Sequence, residues 1–304
     1  MRRLPLPALG PSARPRLAAA LLALAVLLVV GRAASGWLGA PGLRPLPSGT
    51  LELTMLDVGQ GDGLLARMAG RAMLIDSGPS PEVAERIIVA RLAAAGVRHL
   101  DYLVLTHADA DHIGGAPAVL RAVSVGEIVV GDPAVDHPVQ REVFRLARER
   151  SIPVRTVARG DVLPWHPAVY VRVLNPGGAA VERSNNDRSV ALLLSLGEAD
   201  VLLTGDMEAA AEGDLLAAAG RLEADVLKVA HHGSASSTSA SFLAAVQPQV
   251  ALASAGRDNP FSHPHDETLQ RLLAQHVAIF RTDLAGNVTV RTDGVAIEVA
   301  LQRG

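Results

Sequence analysis

From Leu51 onward the chain falls into short apolar runs separated by glycine, proline and polar turns. Runs at 51–58, 63–67 and 72–76, divided by glycines, predict an antiparallel meander. A helix over 81–95 follows, opening at Pro81-Glu82 and closing at Gly96. The pattern then predicts strand 101–105, helix 114–123, strand 127–130, helix 138–150 and strand 153–158. The second half repeats the style, with strands near 168–174, 189–196 and 199–204, then helix 207–219 and strand 225–230. Helix 239–246, strand 249–253, helix 266–275 and final strands near 277–281, 286–292 and 295–301 complete the prediction. Two strand-then-helix halves point to two packed sheets with helices outside, an α/β sandwich.

Ahead of this region the pattern changes. Leu17 to Val30 contains no polar residue, and an arginine-rich opening precedes it. That run is shorter than the roughly 20 residues of a membrane span. Extended through Arg32 to Trp37-Leu38 it reaches that length, with Arg32 snorkelling and Trp37 at the interface. Residues 1–38 are therefore expected to be a basic flank and a single-pass membrane anchor. The alternative is a cleaved signal, with Ala33, Ala34 and Ser35 as the small residues before the cut. Both readings place the remainder outside the cytoplasmic membrane. Residues 39–49, rich in Gly and Pro, are expected to be a linker, and 50–304 one domain.

Composition narrows the function. The chain has no cysteine, which excludes disulfides and thiolate ligands, and a single lysine, Lys228, among 28 basic residues. The first 48 residues hold six arginines and no acid, so the remainder carries 22 basic against 31 acidic groups. An acidic domain has no broad positive face for wrapping nucleic acid. Bound divalent cations would reverse the sign locally, so a phosphate could still be held at one point.

The candidate chemistry sits at strand ends. His107-Ala108-Asp109-Ala110-Asp111-His112 follows an apolar strand and precedes Gly114-Gly115. Imidazole and carboxylate are the usual ligands of a hydrolytic metal centre. Asp206 ends the run Val201-Leu202-Leu203-Thr204-Gly205 and can bridge two metals; taken alone, it would read as the N-cap of helix 207–219. Lys228-Val229-Ala230-His231-His232-Gly233-Ser234 is a third strand running into a polar turn. Adjacent histidines point apart, so only one is expected to bind metal, with His232 slightly favoured over His231. Ser262-His263-Pro264-His265 is a fourth cluster, in which His263 could be a ligand or a general acid. Asp76, after Leu74-Ile75, is expected to orient the ligand loop rather than bind metal. Asn185 and Asn186 could contact metal or substrate through their amides, and Ser234 is a further substrate candidate. The Asp57-Val58-Gly59-Gln60-Gly61-Asp62-Gly63 turn is by itself a weak signal, compatible with a plain hairpin.

In this order these stretches resemble the metallo-β-lactamase superfamily, over about residues 50–285. Within it, DVGQGD, THADADHIGG, LTGD and KVAHHGS look most like the C-terminal extracellular domain of the ComEC-type competence proteins. The resemblance implies an αββα sandwich with a two-metal site at the edge between the sheets. The superfamily's usual loop is His-x-His-x-Asp-His; here Asp109 replaces the second histidine, and Asn185 and Asn186 stand where a further histidine is usual. The implied function is an exported, membrane-tethered hydrolase with two divalent ions, Mn²⁺ or Zn²⁺, acting on a phosphoester. A DNA phosphodiester is the favoured substrate, single-stranded DNA being one form of it, and a DNA-uptake machinery is the implied partner. A phosphodiesterase acting on phosphocholine-like groups of the cell envelope, and a metal- or DNA-binding domain without turnover, are the alternatives. In that scheme His107, Asp109, Asp206 and Asn185 hold one metal, and Asp111, His112, Asp206 and His232 or His231 the other. Asp111, His263 and Asp76 form the candidate catalytic set, His263 protonating the leaving oxygen, and Lys228 adds charge near the phosphate.

Overall fold

The computed structural model describes residues 46–177, 184–218 and 222–302; the expected anchor or signal over 1–38 lies outside them. Among the described residues no helix is long and apolar enough to cross a membrane. In chain order the strands are β1 (Leu51–Met55), β2 (Leu64–Met68), β3 (Arg71–Ile75), β4 (His99–Leu105), β5 (Ser124–Val130), β6 (Val154–Thr156), β7 (Val162–His166) and β8 (Val169–Asn175). They continue with β9 (Ala191–Leu196), β10 (Ala199–Leu203), β11 (Val226–Lys228), β12 (Val250–Ala253), β13 (Ala278–Arg281), β14 (Asn287–Thr292) and β15 (Ile297–Gln302).

Two mixed sheets result. One has eight strands in the order β15-β14-β1-β2-β3-β4-β5-β6, the other seven in the order β13-β12-β11-β10-β9-β8-β7. Each begins as an antiparallel meander and continues as parallel strands joined through helices: β3, β4, β5 and β6 in the first, β10, β11, β12 and β13 in the second. Parallel pairs need crossovers, and the helical segments predicted between them supply these. The last two strands do not extend the second sheet. β14 returns to pair with β1 in the first.

Strand alternation builds three apolar layers. Leu53, Met55, Met73, Ile75 and Val104 face Leu192, Leu194, Val201 and Leu203 between the sheets. The alternate positions Leu65, Leu74, Leu103 and Ile128 pack under the helices of the first half, with Ile88, Leu92, Val119 and Val143. Leu193, Leu202, Leu227 and Ala251 do the same in the second half, with Leu215, Phe242 and Leu272. Strands buried on both faces read as continuous apolar runs, and these do.

Two local differences from the sequence reading have clear causes. β7 is absent from the sequence prediction because Pro164 interrupts its pattern, and it forms at the free edge of its sheet with Pro164 exposed, where a missing donor costs little. The helix expected from 207 begins at Ala209, and its leading amides, Glu208 N and Ala211 N, donate to Asp187 Oδ1 at 3.1 and 3.2 Å. Asp187 thus does the capping, and Asp206 is left free to face elsewhere.

Candidate metal centre

The described ends of β3, β4, β10, β11 and β12 meet at one rim of the sandwich, outside the carboxyl ends of parallel strands. Donor atoms of Asp111, His112, Asp206 and His232 all lie within 4.8 Å of one another. Asp111 and His112 come from the loop after β4, Asp206 from the turn after β10, and His232 from the turn after β11. Close backbone approach fixes the loop. A Cβ on Gly115 would lie 2.1 Å from Ser77 O, and one on Gly61 2.2 Å from Asp111 O, so neither position admits a side chain.

Each buried imidazole is aimed by a hydrogen bond at its other nitrogen. Asp76 Oδ2 accepts from His112 Nδ1 at 2.7 Å and from Thr106 Oγ1 at 2.7 Å, while its Oδ1 accepts from Thr106 N at 2.8 Å. That leaves His112 Nε2 directed at Asp206 Oδ2, 3.1 Å away. Ser254 O accepts from His232 Nδ1 at 3.0 Å, so His232 Nε2 faces Asp111 Oδ2 at 3.2 Å and Asp206 Oδ2 at 3.3 Å. Such outer partners set the tautomer and the direction of a ligating histidine. Asp76 thus ties the ring of His112 and the residue after β4 together by hydrogen bonds.

His107 and Asp109 form a second, more open group. His107 Nε2 lies 3.4 Å from Asp109 Oδ2, and its Nδ1 is within reach of Thr106 Oγ1 (3.1 Å) and Ser189 Oγ (3.3 Å). Asn185 Nδ2 donates to Asp109 Oδ1 at 2.6 Å, and the Asp109 side chain is 47% exposed. Asn186 opens the short helical turn Asn186–Arg188 beside it.

The charges are strongly coupled. Burial opposes ionisation of Asp206, but His112 and His232 outweigh it and hold that carboxyl well below its ordinary range. Burial opposes the charge of Asp111 too, yet His232 and His112 pull it down to about 2. Burial would push His112 and His232 down, but Asp206, with Asp76 for the first and Asp62 for the second, raises both well above the usual histidine value. Asp109 is lowered chiefly by the neighbouring His107.

Other predicted residues fall elsewhere. His231 is partly exposed, its Nε2 3.9 Å from Asp206 Oδ2 and its Nδ1 3.2 Å from Glu208, so it borders the cluster while His232 is in it. Both adopt left-handed backbone, φ 47° and 55°, which is costly outside glycine. Ser234 holds the turn, with Oγ 2.9 Å from Ser236 Oγ and a backbone carbonyl accepting from Thr268 Oγ1. His263 packs its ring 5.5 Å from that of His231 and 6.2 Å from that of His232. Burial first, then neighbouring histidines, depress it to about 4. A neutral imidazole there keeps one N–H and one lone pair, so it can donate, accept or ligate. Lys228 also departs from expectation. It is 1% exposed, ion-paired with Asp62, and donates to Gly205 O at 3.3 Å, so it lies behind the site and not on a substrate surface.

Asp62 is the residue of the centre that the sequence pattern does not single out. It is buried, and its Oδ1 lies 3.5 Å from His232 Nδ1 and its Oδ2 3.8 Å from His112 Nδ1. Burial opposes its charge, but Lys228, His232 and His112 hold the carboxyl far below the usual range. Its turn also clamps both halves: Asp62 N donates to Asp111 O at 3.1 Å, and Ser254 Oγ donates to Gly61 O at 2.6 Å. The alternating glycines of that turn, rather than its charge, were the available signal.

The donor set fits a divalent cation on this structure's own terms. His107 Nε2 and His112 Nε2 are buried and make no hydrogen bond among the described residues, although such groups are nearly always satisfied. They converge on the same rim as the ionised Asp111, and nitrogen and carboxylate donors are what Zn²⁺ and Mn²⁺ accept.

Comparison with known proteins agrees. The chain is 36% identical over 266 residues to ComE operon protein 3 of Bacillus subtilis (strain 168), covering 82% of this chain and 34% of that protein. It is 36% identical over 245 residues to competence protein ComA of Neisseria gonorrhoeae, covering 79% and 32% respectively. The chain thus spans about a third of the length of these relatives. Among solved structures, the metallo-β-lactamase fold protein YhfI from Bacillus subtilis superposes with a TM-score of 0.51 at 13% identity, over 82% of this chain and 100% of that one. Residues 56–257 match the metallo-β-lactamase superfamily, and with the two packed sheets and the rim of ligands in place, the chain belongs to that superfamily.

Proposed function

We propose that this protein is an exported metal-dependent phosphodiesterase that acts on DNA, tethered to the membrane by its N-terminal segment and working with a DNA-uptake machinery. The observation that carries the hydrolytic part is the convergence of Asp111, His112, Asp206 and His232 within 4.8 Å, with His112 Nε2 unsatisfied. These four would hold one cation. His107 and Asp109, steadied by Asn185 and sharing Asp206, would hold a second. Divalent ions bound there would supply a nucleophile from water at neutral pH and neutralise charge developing on a phosphoryl group.

The chain's own residues prepare this chemistry. Asp76 and Ser254 O fix the two imidazoles in the tautomer that presents Nε2. Ser189 Oγ accepts from Asp206 N at 3.0 Å and steadies the shared carboxylate. Neutral His263, beside His231 and His232, would accept a hydrogen bond from the incoming water or the substrate.

Two observations favour a nucleic-acid phosphodiester. The match to proteins named for competence supports it. So does Phe261, which is 58% exposed and stacks on His263 at 5.7 Å between ring centres with an interplanar angle of 27°. An exposed aromatic next to a phosphoester site offers a base a stacking surface, which an acidic domain without a basic groove needs.

The test is a screen of the purified protein with Mn²⁺ and Zn²⁺ supplied separately. Substrates are single-stranded DNA, bis-p-nitrophenyl phosphate, a phosphocholine ester and nitrocefin. Cleavage of DNA and of the bis-aryl ester supports the reading. Turnover of the phosphocholine ester alone would move the substrate to the cell envelope. Tight metal binding with no turnover would make the domain a binding module.

A further inference from the structure

Lys228 is the only lysine in the sequence, and it sits in the most protected part of the centre, 1% exposed. Burying an ammonium is costly unless it is paired. Here the pairing is with Asp62, whose carboxylate is equally buried. The ammonium also lies 3.3 Å from Gly205 O and 3.7 Å from Asp206 Oδ1, so it reaches the candidate shared ligand from behind.

His112 has carboxylates on both of its edges. On the Nε2 edge lie Asp206 and Asp111, at 3.1 and 3.9 Å. On the Nδ1 edge lie Asp76 and Asp62, at 2.7 and 3.8 Å. Donor atoms of Asp62, Asp76 and His112 lie within 4.8 Å of one another, as do those of the front group. By donor chemistry alone, two places could therefore take a cation through the same imidazole. They differ in what Lys228 reaches: on the Nδ1 side it is ion-paired with Asp62, whereas on the Nε2 side it lies 3.7 Å from the rear oxygen of Asp206 and makes no ion pair with Asp111.

We propose that the Lys228 ammonium fills the cation position on the Nδ1 side of His112, and so confines divalent metal to the Nε2 side, where Asp111, Asp206 and His232 stand. Lys228 is in this sense a positioning residue. It touches no substrate, but together with the Asp76 hydrogen bond to Nδ1 it keeps metal off that edge of His112 and limits how many ions the centre accepts. A lysine suits this better than an arginine: its compact point charge fits between one carboxylate and one carbonyl, where a planar fork would not. The inference concerns metal placement and does not depend on the phosphodiester reading.

The experiment counts ions. Wild-type protein, Lys228→Met and the neutral pair Asp62→Asn/Lys228→Met are stripped of metal, titrated with Mn²⁺ and analysed by native mass spectrometry and by thermal unfolding. Lys228→Met is expected to bind one more Mn²⁺ per chain than wild type. Without metal it is expected to lose roughly 10 °C in Tm, because Asp62 is left buried and unpaired, and to regain most of that with Mn²⁺. The neutral pair is expected to fold, to keep the wild-type stoichiometry and to show no such metal rescue. Equal stoichiometry in wild type and Lys228→Met overturns the proposal. If Lys228→Met does not fold even with Mn²⁺, the neutral pair decides. A well-folded pair with wild-type stoichiometry upholds the electrostatic role, and a pair that also fails to fold overturns it, making Lys228 a packing element. Wild-type protein that binds no divalent ion would overturn this proposal together with the metal reading.

Discussion

The two ligand groups at the rim are built to different standards. Around His112 and His232 every component is buried or half-buried, and each imidazole is locked by an acceptor at its far nitrogen. Around His107 the carboxylate in contact is the half-exposed Asp109, steadied by the amide of Asn185. A site whose ligands are already aimed loses little entropy on binding, whereas one that relies on an exposed side chain must order it first. The lesson is that two donor groups at one rim need not have one affinity. The inner group is expected to fill first and to stay filled, and the outer to exchange.

The largest expected effect breaks the inner group outright. Asp111→Ala removes a ligand that is still a third exposed, so turnover is expected to fall more than about 100-fold, beyond the usual effect of losing an outer partner, with Tm nearly unchanged. Full activity in that variant would dismiss the inner group as the seat of chemistry. Asp76→Asn comes next. It keeps shape but weakens the acceptor for His112, and metal affinity of the inner group is expected to drop by about 10- to 100-fold while the outer group is unaffected. Calorimetric isotherms in which both steps weaken together would erase the distinction between the groups.

Protons sharpen the contrast. His112 and His232 are raised well above the ordinary histidine value when no metal is present, chiefly by Asp206 once their burial is overcome. A raised folded-state pKa adds stability that is complete below the unfolded value of about 6.5 and is lost as pH rises through the folded value. Metal-free protein is therefore expected to lose Tm as pH is taken from neutral into the alkaline range. Metal must displace those protons, so inner-group affinity is expected to rise with pH, by about tenfold per unit for each proton released. Parallel titrations at pH 6, 7 and 8 check this; a flat affinity would mean that the imidazoles are already free. Asp109, lowered by His107, stays anionic throughout and adds no such dependence to the outer group.

Metal preference is the finer test. With Asp109 in place of an imidazole and an amide-bearing loop at its side, the outer group is rich in oxygen, which suits Mn²⁺ better than nitrogen-rich sites do. Metal-free protein is expected to recover more phosphodiesterase activity with Mn²⁺ than with Zn²⁺, and Asp109→His to shift that balance toward Zn²⁺. Unchanged metal preference in Asp109→His would show that residue 109 does not set it. The smallest effect is at the periphery: Phe261→Ala is expected to raise KM for an oligonucleotide several-fold, in line with about 1 kcal/mol for one stacked base, and to leave an abasic oligonucleotide unaffected.

Much of this was legible in the chain. Apolar runs bounded by glycine and proline located nearly every strand, because both faces of these sheets are buried and periodicity had only to mark where polarity resumed. The ligand loop was legible because four donors in six positions have few other uses. What escaped were facts about partners far away in sequence. That β14 joins β1 is a pairing across some 230 residues, which no local pattern encodes. Asp62 looked like part of a hairpin because its partner, Lys228, arrives from the other sheet, and Lys228 was read as a charge near the phosphate for the same reason. His231 and His232 could be separated only once the left-handed turn and the carbonyl of Ser254 showed which ring faces inward.

The return of β14 has a mechanical consequence. β1, the first strand among the described residues, is not an edge strand: it is held on one flank by five residue pairs with β14 and on the other by four with β2. Tension applied to the chain ahead of Leu51 would run along β1 and load both ladders in shear, so that their hydrogen bonds give way together and not one after another. A domain held from that end would keep its sheet, and the metal rim above it, under pulling forces that would peel away an edge strand.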